Sequence, residues 1–289
     1  MFNRYCNQYL KALVLVASII SLAACSASRL AYNNLDWLIS WRVGSYVSLT
    51  GEQERWLSAR TKEQLAWHCS TELPRYLPLL DHLESTLYDK NLDSSMLSQG
   101  LPQVETAVDR LLIEIAPTIS GLISQLDTEQ IEELTANLKE KHAELEEEYL
   151  EPDLESQYQE RMERAEERLE DWLGPLDKQQ YARLAEWAEQ LQGRNAIWLE
   201  NRLAWQAAFL ATLEDRNEPA FDQQIKTLLI EREQFRTDSY DLYAASNQDL
   251  AASLITDLIH LSSDKQKGHL TKRFETVRAD IEALRCAQT

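Results

Sequence analysis

Seven glycines and seven prolines are spread singly over 289 residues. A sandwich or barrel turns about every 8–12 residues and needs far more turn formers than that. Leu, Ala, Glu, Gln and Arg fill the chain instead, and these residues lose little side-chain freedom in a helix. The expected fold is therefore all-α, built from long amphipathic helices. The 29 basic and 48 acidic side chains leave a formal charge of −19. That balance argues against a nucleic-acid binder, because neutralising phosphates requires a basic face.

Arg4 and Lys11 are the only charges ahead of an apolar run, Ala12 to Ala24, interrupted only by Ser18 and Ser21. The run is shorter than the roughly 20 residues of a membrane-spanning helix and suits the core of an export signal. It closes on Leu22-Ala23-Ala24-Cys25, which resembles the bacterial lipobox. The resemblance implies cleavage before Cys25, alkylation of its thiol by diacylglycerol and acylation of the new amino terminus, with palmitate as the expected class of chain. An ordinary signal peptide with a coincidental Cys is the alternative. Ser26 stands where Asp would resemble an inner-membrane retention signal, so an outer-membrane lipoprotein facing the periplasm is expected. Without residues 1–24 the chain has 265 residues and a charge of −21.

Cys6 would leave with the signal and Cys25 would carry lipid, so Cys69 and Cys286 remain. In an oxidising compartment they form a candidate disulfide. Two separate buried thiols are the alternative.

Leu30, Asn34, Trp37, Leu38 and Trp41 fall near one helical face,. This segment starts only about four residues after Cys25, so it lies close to the bilayer if Cys25 is acylated. Trp37, Trp41 and Tyr46 either rest in the headgroup layer or dock on the helical body, and the second is expected of Trp in a folded protein.

A phrase then recurs. Leu49-Thr50-Gly51-Glu52-Gln53, Leu126-Asp127-Thr128-Glu129-Gln130, Leu176-Asp177-Lys178-Gln179-Gln180 and Ser262-Ser263-Asp264-Lys265-Gln266 are each followed four residues later by Leu. Thr50, Asp127, Asp177 and Ser263 are N-cap candidates, and a Gln three residues on closes a capping box. The first and second copies are 77 residues apart, the third and fourth 86. Between them the layout repeats: Leu73, Leu79, Leu80, Leu83 and Glu84 line up with Leu203, Phe209, Leu210, Leu213 and Glu214. A break follows at 88–93 and 215–219, then a long amphipathic stretch at about 94–125 and 219–260. This is the pattern of an internal duplication. The expected layout is a lipidated aromatic tether at 25–48, one helical unit at 49–150, a charged connector at 151–175 and a second unit at 176–289. The stripes at 131–149 and 154–172 suit two long helices packed on one another or on a partner, with a kink at Glu151-Pro152.

Paired Leu-Thr-x-x-Gln boxes separated by a helix, a break and a long helix resemble the Spy/CpxP group of periplasmic proteins, over about 49–140 and 176–285. Only the Leu49 copy keeps Thr in second place. The resemblance implies a curved all-helical protein that acts as an ATP-independent chaperone or a stress-sensor inhibitor. Tyr32-Asn33-Asn34-Leu35-Asp36-Trp37-Leu38-Ile39, Trp67-His68 with Glu72-Leu73-Pro74-Arg75-Tyr76, and Trp172-Leu173-Gly174-Pro175-Leu176 resemble landmarks of a Gram-negative lipoprotein family with no established activity.

No motif for catalysis emerges. The five His form no H-E-x-x-H pattern,. His68 and Glu72, four apart, are two candidate ligands and not a metal site. The run Glu144, Glu146, Glu147, Glu148 and Glu151 suits a solvated helix face better than a calcium loop. The chain is expected to be no enzyme, to need no cofactor and to bind the membrane through Cys25. Its expected role is to bind an envelope client or partner in a chaperone-like way, with an assembly scaffold as the alternative. Trp37, Trp41, Trp187, Trp198 and Trp205 are the candidate partner-binding residues, since Trp is enriched in interface hot spots. Trp198 and Trp205 share a face at core spacing, which favours packing for that pair.

Overall fold

The computed structural model describes residues 32–284. The export signal, Cys25 and Cys286 lie outside the described residues. Among these residues the protein is all-α, with no strand. The helices run α1 (Leu35–Gly44), α2 (Gly51–Trp67), a π turn (His68–Glu72), α3 (Leu73–Leu87), α4 (Ser94–Ser98), α5 (Leu101–Ile123) and α6 (Thr128–Leu150). They continue as α7 (Leu154–Leu173), α8 (Lys178–Gln190), α9 (Arg194–Thr212), α10 (Phe221–Ile230), α11 (Asp238–Leu261) and α12 (Asp264–Leu284).

The four repeated phrases start α2, α6, α8 and α12. At α2, α6 and α8 the cap side chain accepts from the backbone of the Gln three residues on, and that Gln accepts from the cap's own N–H. Ser263 and Gln266 make the same exchange. Each Gln then does something a capping box does not require. Gln53 and Gln130 donate to each other's side-chain oxygen at 3.0 and 2.8 Å. They donate further to the carbonyls of Gln125 and Ser48. In the other pair, Gln266 donates to Gln180 Oε1 at 2.7 Å and to the Pro175 carbonyl, while Gln180 donates to the Leu258 carbonyl. All four glutamines are buried. Box one thus clasps box two, and box three clasps box four.

The two halves interlock. α12 packs along α3 and, reciprocally, α6 packs along α9; α10 lies on α5 as α11 lies on α4. Each hydrophobic core draws on both halves. One joins Leu87 and Leu92 to Met162, Leu173, Leu184, Leu258, Leu270 and Phe274. The other joins Val47, Ile123, Leu126 and Leu134 to Leu213, Phe221, Ile225 and Leu228. α7 also stands to the second clasp as α1 stands to the first. It packs on α8 and α12, while α1 packs on α2 and the turn after it bonds to α6 through Asn137–Tyr46 and Glu133–Ser48. The repeated element therefore takes in the helix ahead of each first box.

Two expectations change. The stretches at 94–125 and 219–260 are not continuous helices: α4 stops at Gln99-Gly100, and a 3-10 turn, Arg232–Phe235, divides α10 from α11. Thr237 restarts the helix by capping Tyr240 N. The stripes of α6 and α7 do not chiefly pack on one another, because the core beneath boxes three and four takes Tyr158, Met162, Ala165, Leu169 and Trp172 of α7. Gly174, at φ +73°, ends α7 in a conformation open to glycine and turns the chain into box three.

Candidate functional site

The π turn concentrates polar side chains of its own and of α3 and α5. It links α2 to α3 where the second half breaks the helix at Gly193, φ +76°. π turns inside helices often mark functional sites. Glu72 is fully buried within it. Arg110, from α5, reaches both carboxylate oxygens at 3.0 Å, and Arg75 reaches one at 2.7 Å. Burial alone would push the Glu72 carboxyl up, but the Arg110 hydrogen bonds and the two guanidinium charges outweigh it and hold it below the usual carboxylate range.

One turn earlier, His68 sits between two phenols, with Tyr32 Oη 2.9 Å from Nδ1 and Tyr76 Oη 3.3 Å from Nε2. Neutral imidazole offers one donor and one acceptor, so one tyrosine donates and the other accepts. Burial lowers the His68 pKa, against the pull of Glu72, and the ring is held neutral. The same burial raises both phenols. His68 and Glu72 therefore serve separate hydrogen-bond networks rather than a common metal. Among the described residues no group of three or more His, Cys, Asp or Glu is placed to hold one. Cys69, in the same turn, is buried and disulfide-bonded.

Two apolar clefts flank this knot. One, of about 450 Å³, lies among α1, α2, α5, α6 and α9, walled by Val43, Leu57, Ile119, Leu138, Trp205 and Phe209. The other, of about 480 Å³, runs between α3 and α5 and is closed at its ends by α4 and Ile281 of α12. Leu79, Leu83, Met96, Val104, Val108 and Leu111 line it. Val104 is 54 % exposed and Leu83 42 %, so this second cleft offers its aliphatic wall to solvent. The spacing of Val104, Val108 and Leu111 on one face of α5 was a signal in the sequence, where it showed only as part of the long amphipathic stretch at 94–125.

The tryptophans divide into two kinds. Trp37 and Trp41 are 62 % and 64 % exposed and stack on each other at 6.4 Å. They do not dock on the body as expected; the half-buried Val43 and Tyr46 of the same segment face the cleft against α5, α6 and α9 instead. Trp187, Trp198 and Trp205 are half-buried. Trp205 stacks on Phe209 at 5.6 Å and donates to the Leu228 carbonyl. Trp198 meets Tyr149 edge-on, and Trp187 packs against the core of Leu184 and Phe274. The five are not brought together.

Interlocked helices, buried glutamine clasps and open apolar clefts define an all-α protein. The chain belongs to a family of unknown function, DUF6279, whose model matches residues 45–241. No curated protein and no solved structure matches it.

Proposed function

We propose that this chain is a lipoprotein of the bacterial outer membrane, anchored through Cys25 and facing the periplasm, that binds other envelope proteins without catalysis, in a chaperone-like way. The α3–α5 cleft carries the reading. An aliphatic trough with exposed Val104 and Leu83, adaptable Met96 within it, and open ground between helices is the shape that accepts an apolar stretch of another chain. The resemblance of the paired boxes to the Spy/CpxP group points the same way. The lipobox at Leu22–Cys25 supports the anchor.

We assign Cys286 as the disulfide partner of Cys69. Cys6 belongs to the export signal and Cys25 to the lipid, and α12 runs back along α3 towards the π turn. Lys267 and Thr271 meet Tyr88, Arg278 meets Asp81 and Glu84, and Ile281 shares a cleft with Tyr76. Such a bridge fits an oxidising compartment.

The chain's acidity favours basic clients. Light scattering of a denatured basic protein tests the reading: the mature protein delays its aggregation at equimolar ratio, and an unchanged time course sinks the proposal.

A further inference from the structure

We propose that α1 is a membrane-docking helix, which lays Trp37 and Trp41 into the headgroup layer of the bilayer that holds the lipid anchor. The inference rests on the lipoprotein reading and adds to it an orientation of the folded body on the membrane.

The exposed pair is not a by-product of folding, and the internal duplication shows why. The cleft-lining residues Ile39, Val43 and Tyr46 of the first half keep the spacing of Ala165, Leu169 and Trp172 in α7. Counted from them, the positions of Trp37 and Trp41 are occupied in α7 by Glu163 and Glu167, both exposed; counted from the boxes, Thr50 against Asp177, they are Arg164 and Arg168. The same helix role in the same fold thus takes charged side chains in one half and indoles in the other. Packing does not call for tryptophan there.

What covers the pair follows from the chain ahead of it. Tyr32 is the seventh residue after Cys25, and it is fixed to the body through His68. Seven residues reach at most about 25 Å, so acyl chains on Cys25 hold α1 at the membrane surface. Indole rings prefer that layer, with an apolar body and a polar N–H. Beside the pair, an open groove of about 900 Å³ between α1 and α2 carries Arg55, Lys62, Glu54, Ser40 and Ser58, a mixed polar wall that suits zwitterionic headgroups. A second signal beside the acyl chains fixes a membrane protein more firmly than one alone, and here it also fixes which way the body faces.

The test uses the full mature protein purified from membranes and reconstituted in phosphatidylethanolamine–phosphatidylglycerol vesicles whose acyl chains carry bromine, which quenches indole emission on contact. The wild type, with eight tryptophans, loses up to about one quarter of its emission. The Trp37→Phe, Trp41→Phe variant loses none beyond its value in unbrominated vesicles. Trp37→Glu with Trp41→Glu copies α7, so the fold is kept, and circular dichroism checks that it is.

Intact mass separates this claim from the anchor. Acylated protein with no quenching overturns the docking helix and leaves the anchor standing. An unmodified Cys25 overturns the anchor, and the same quenching with vesicles added to that protein still decides the helix: quenching lost in the Phe variant supports it, and none overturns it. If the pair seats a second copy instead, sedimentation shows a dimer that the Glu variant dissociates, lipid quenching is absent, and the proposal fails.

Discussion

Gln180 is fully buried and Gln266 nearly so, and each amide in the two clasps satisfies another. Leaving one buried amide without its partner costs about 1–3 kcal/mol, whereas removing both can be nearly neutral. Gln53→Leu should therefore lower stability by about 2 kcal/mol, and Gln53→Leu with Gln130→Leu by clearly less than the sum of the singles, measured by urea unfolding as a double-mutant cycle. Additive losses would mean the two boxes act only as independent caps. The caps themselves were legible, since Thr50, Asp127, Asp177 and Ser263 all cap as expected. The cross-bonds were not, because a sequence shows which Gln closes its own box and not which distant box it faces. The knot at the π turn sets a pH dependence in two windows. His68 is neutral in the fold, so as pH falls below about 6.5 the unfolded chain takes up a proton first and stability declines,. Glu72 is held ionised, so its contribution is present above the ordinary carboxylate value of 4.5 and is lost as pH falls below it,. Urea midpoints measured between pH 7.5 and 4 should show both declines, and His68→Gln should remove only the upper one.

Among the helices, the starts were easier to read than the interruptions. The division of α10 from α11 lies in a stretch without Gly or Pro, at Glu231 to Thr237, and only the Thr237 cap on Tyr240 N marks it. α1 and α7 look unlike in sequence, an aromatic segment and a run of Glu and Arg, because their outward faces differ completely. Only their inward residues agree, and those are few enough to be masked. The close crossing of α2 and α5 shows the same limit. A Cβ on Gly121 would lie 3.0 Å from the Trp56 ring, so this glycine exists for contact with a helix some 65 residues earlier in the chain. Gly121→Ala should cost about 1–3 kcal/mol by overpacking, seen as a lower urea midpoint. An unchanged midpoint would mean the two helices are free to separate.

For the whole molecule, the duplication was visible and the interlocking was not. Leu203, Phe209 and Leu210 repeat the spacing of Leu73, Leu79 and Leu80, yet nothing in that spacing says that α6 packs on α9 or α12 on α3. Because each core holds residues of both halves, the protein should unfold in a single transition, with calorimetric and van't Hoff enthalpies equal. Two resolved transitions would contradict the shared cores. The same interlocking holds α3, α4, α5 and the end of α12 around one apolar cleft, and the central claim is that this cleft receives other envelope proteins. Its most direct measurement is photocrosslinking in intact cells from a benzoylphenylalanine placed at Val104, inside the cleft, against one at Glu167 on the outer face of α7. The account predicts adducts with other envelope proteins from position 104 and none from position 167. Equal labelling from both positions, or none from 104, would contradict it.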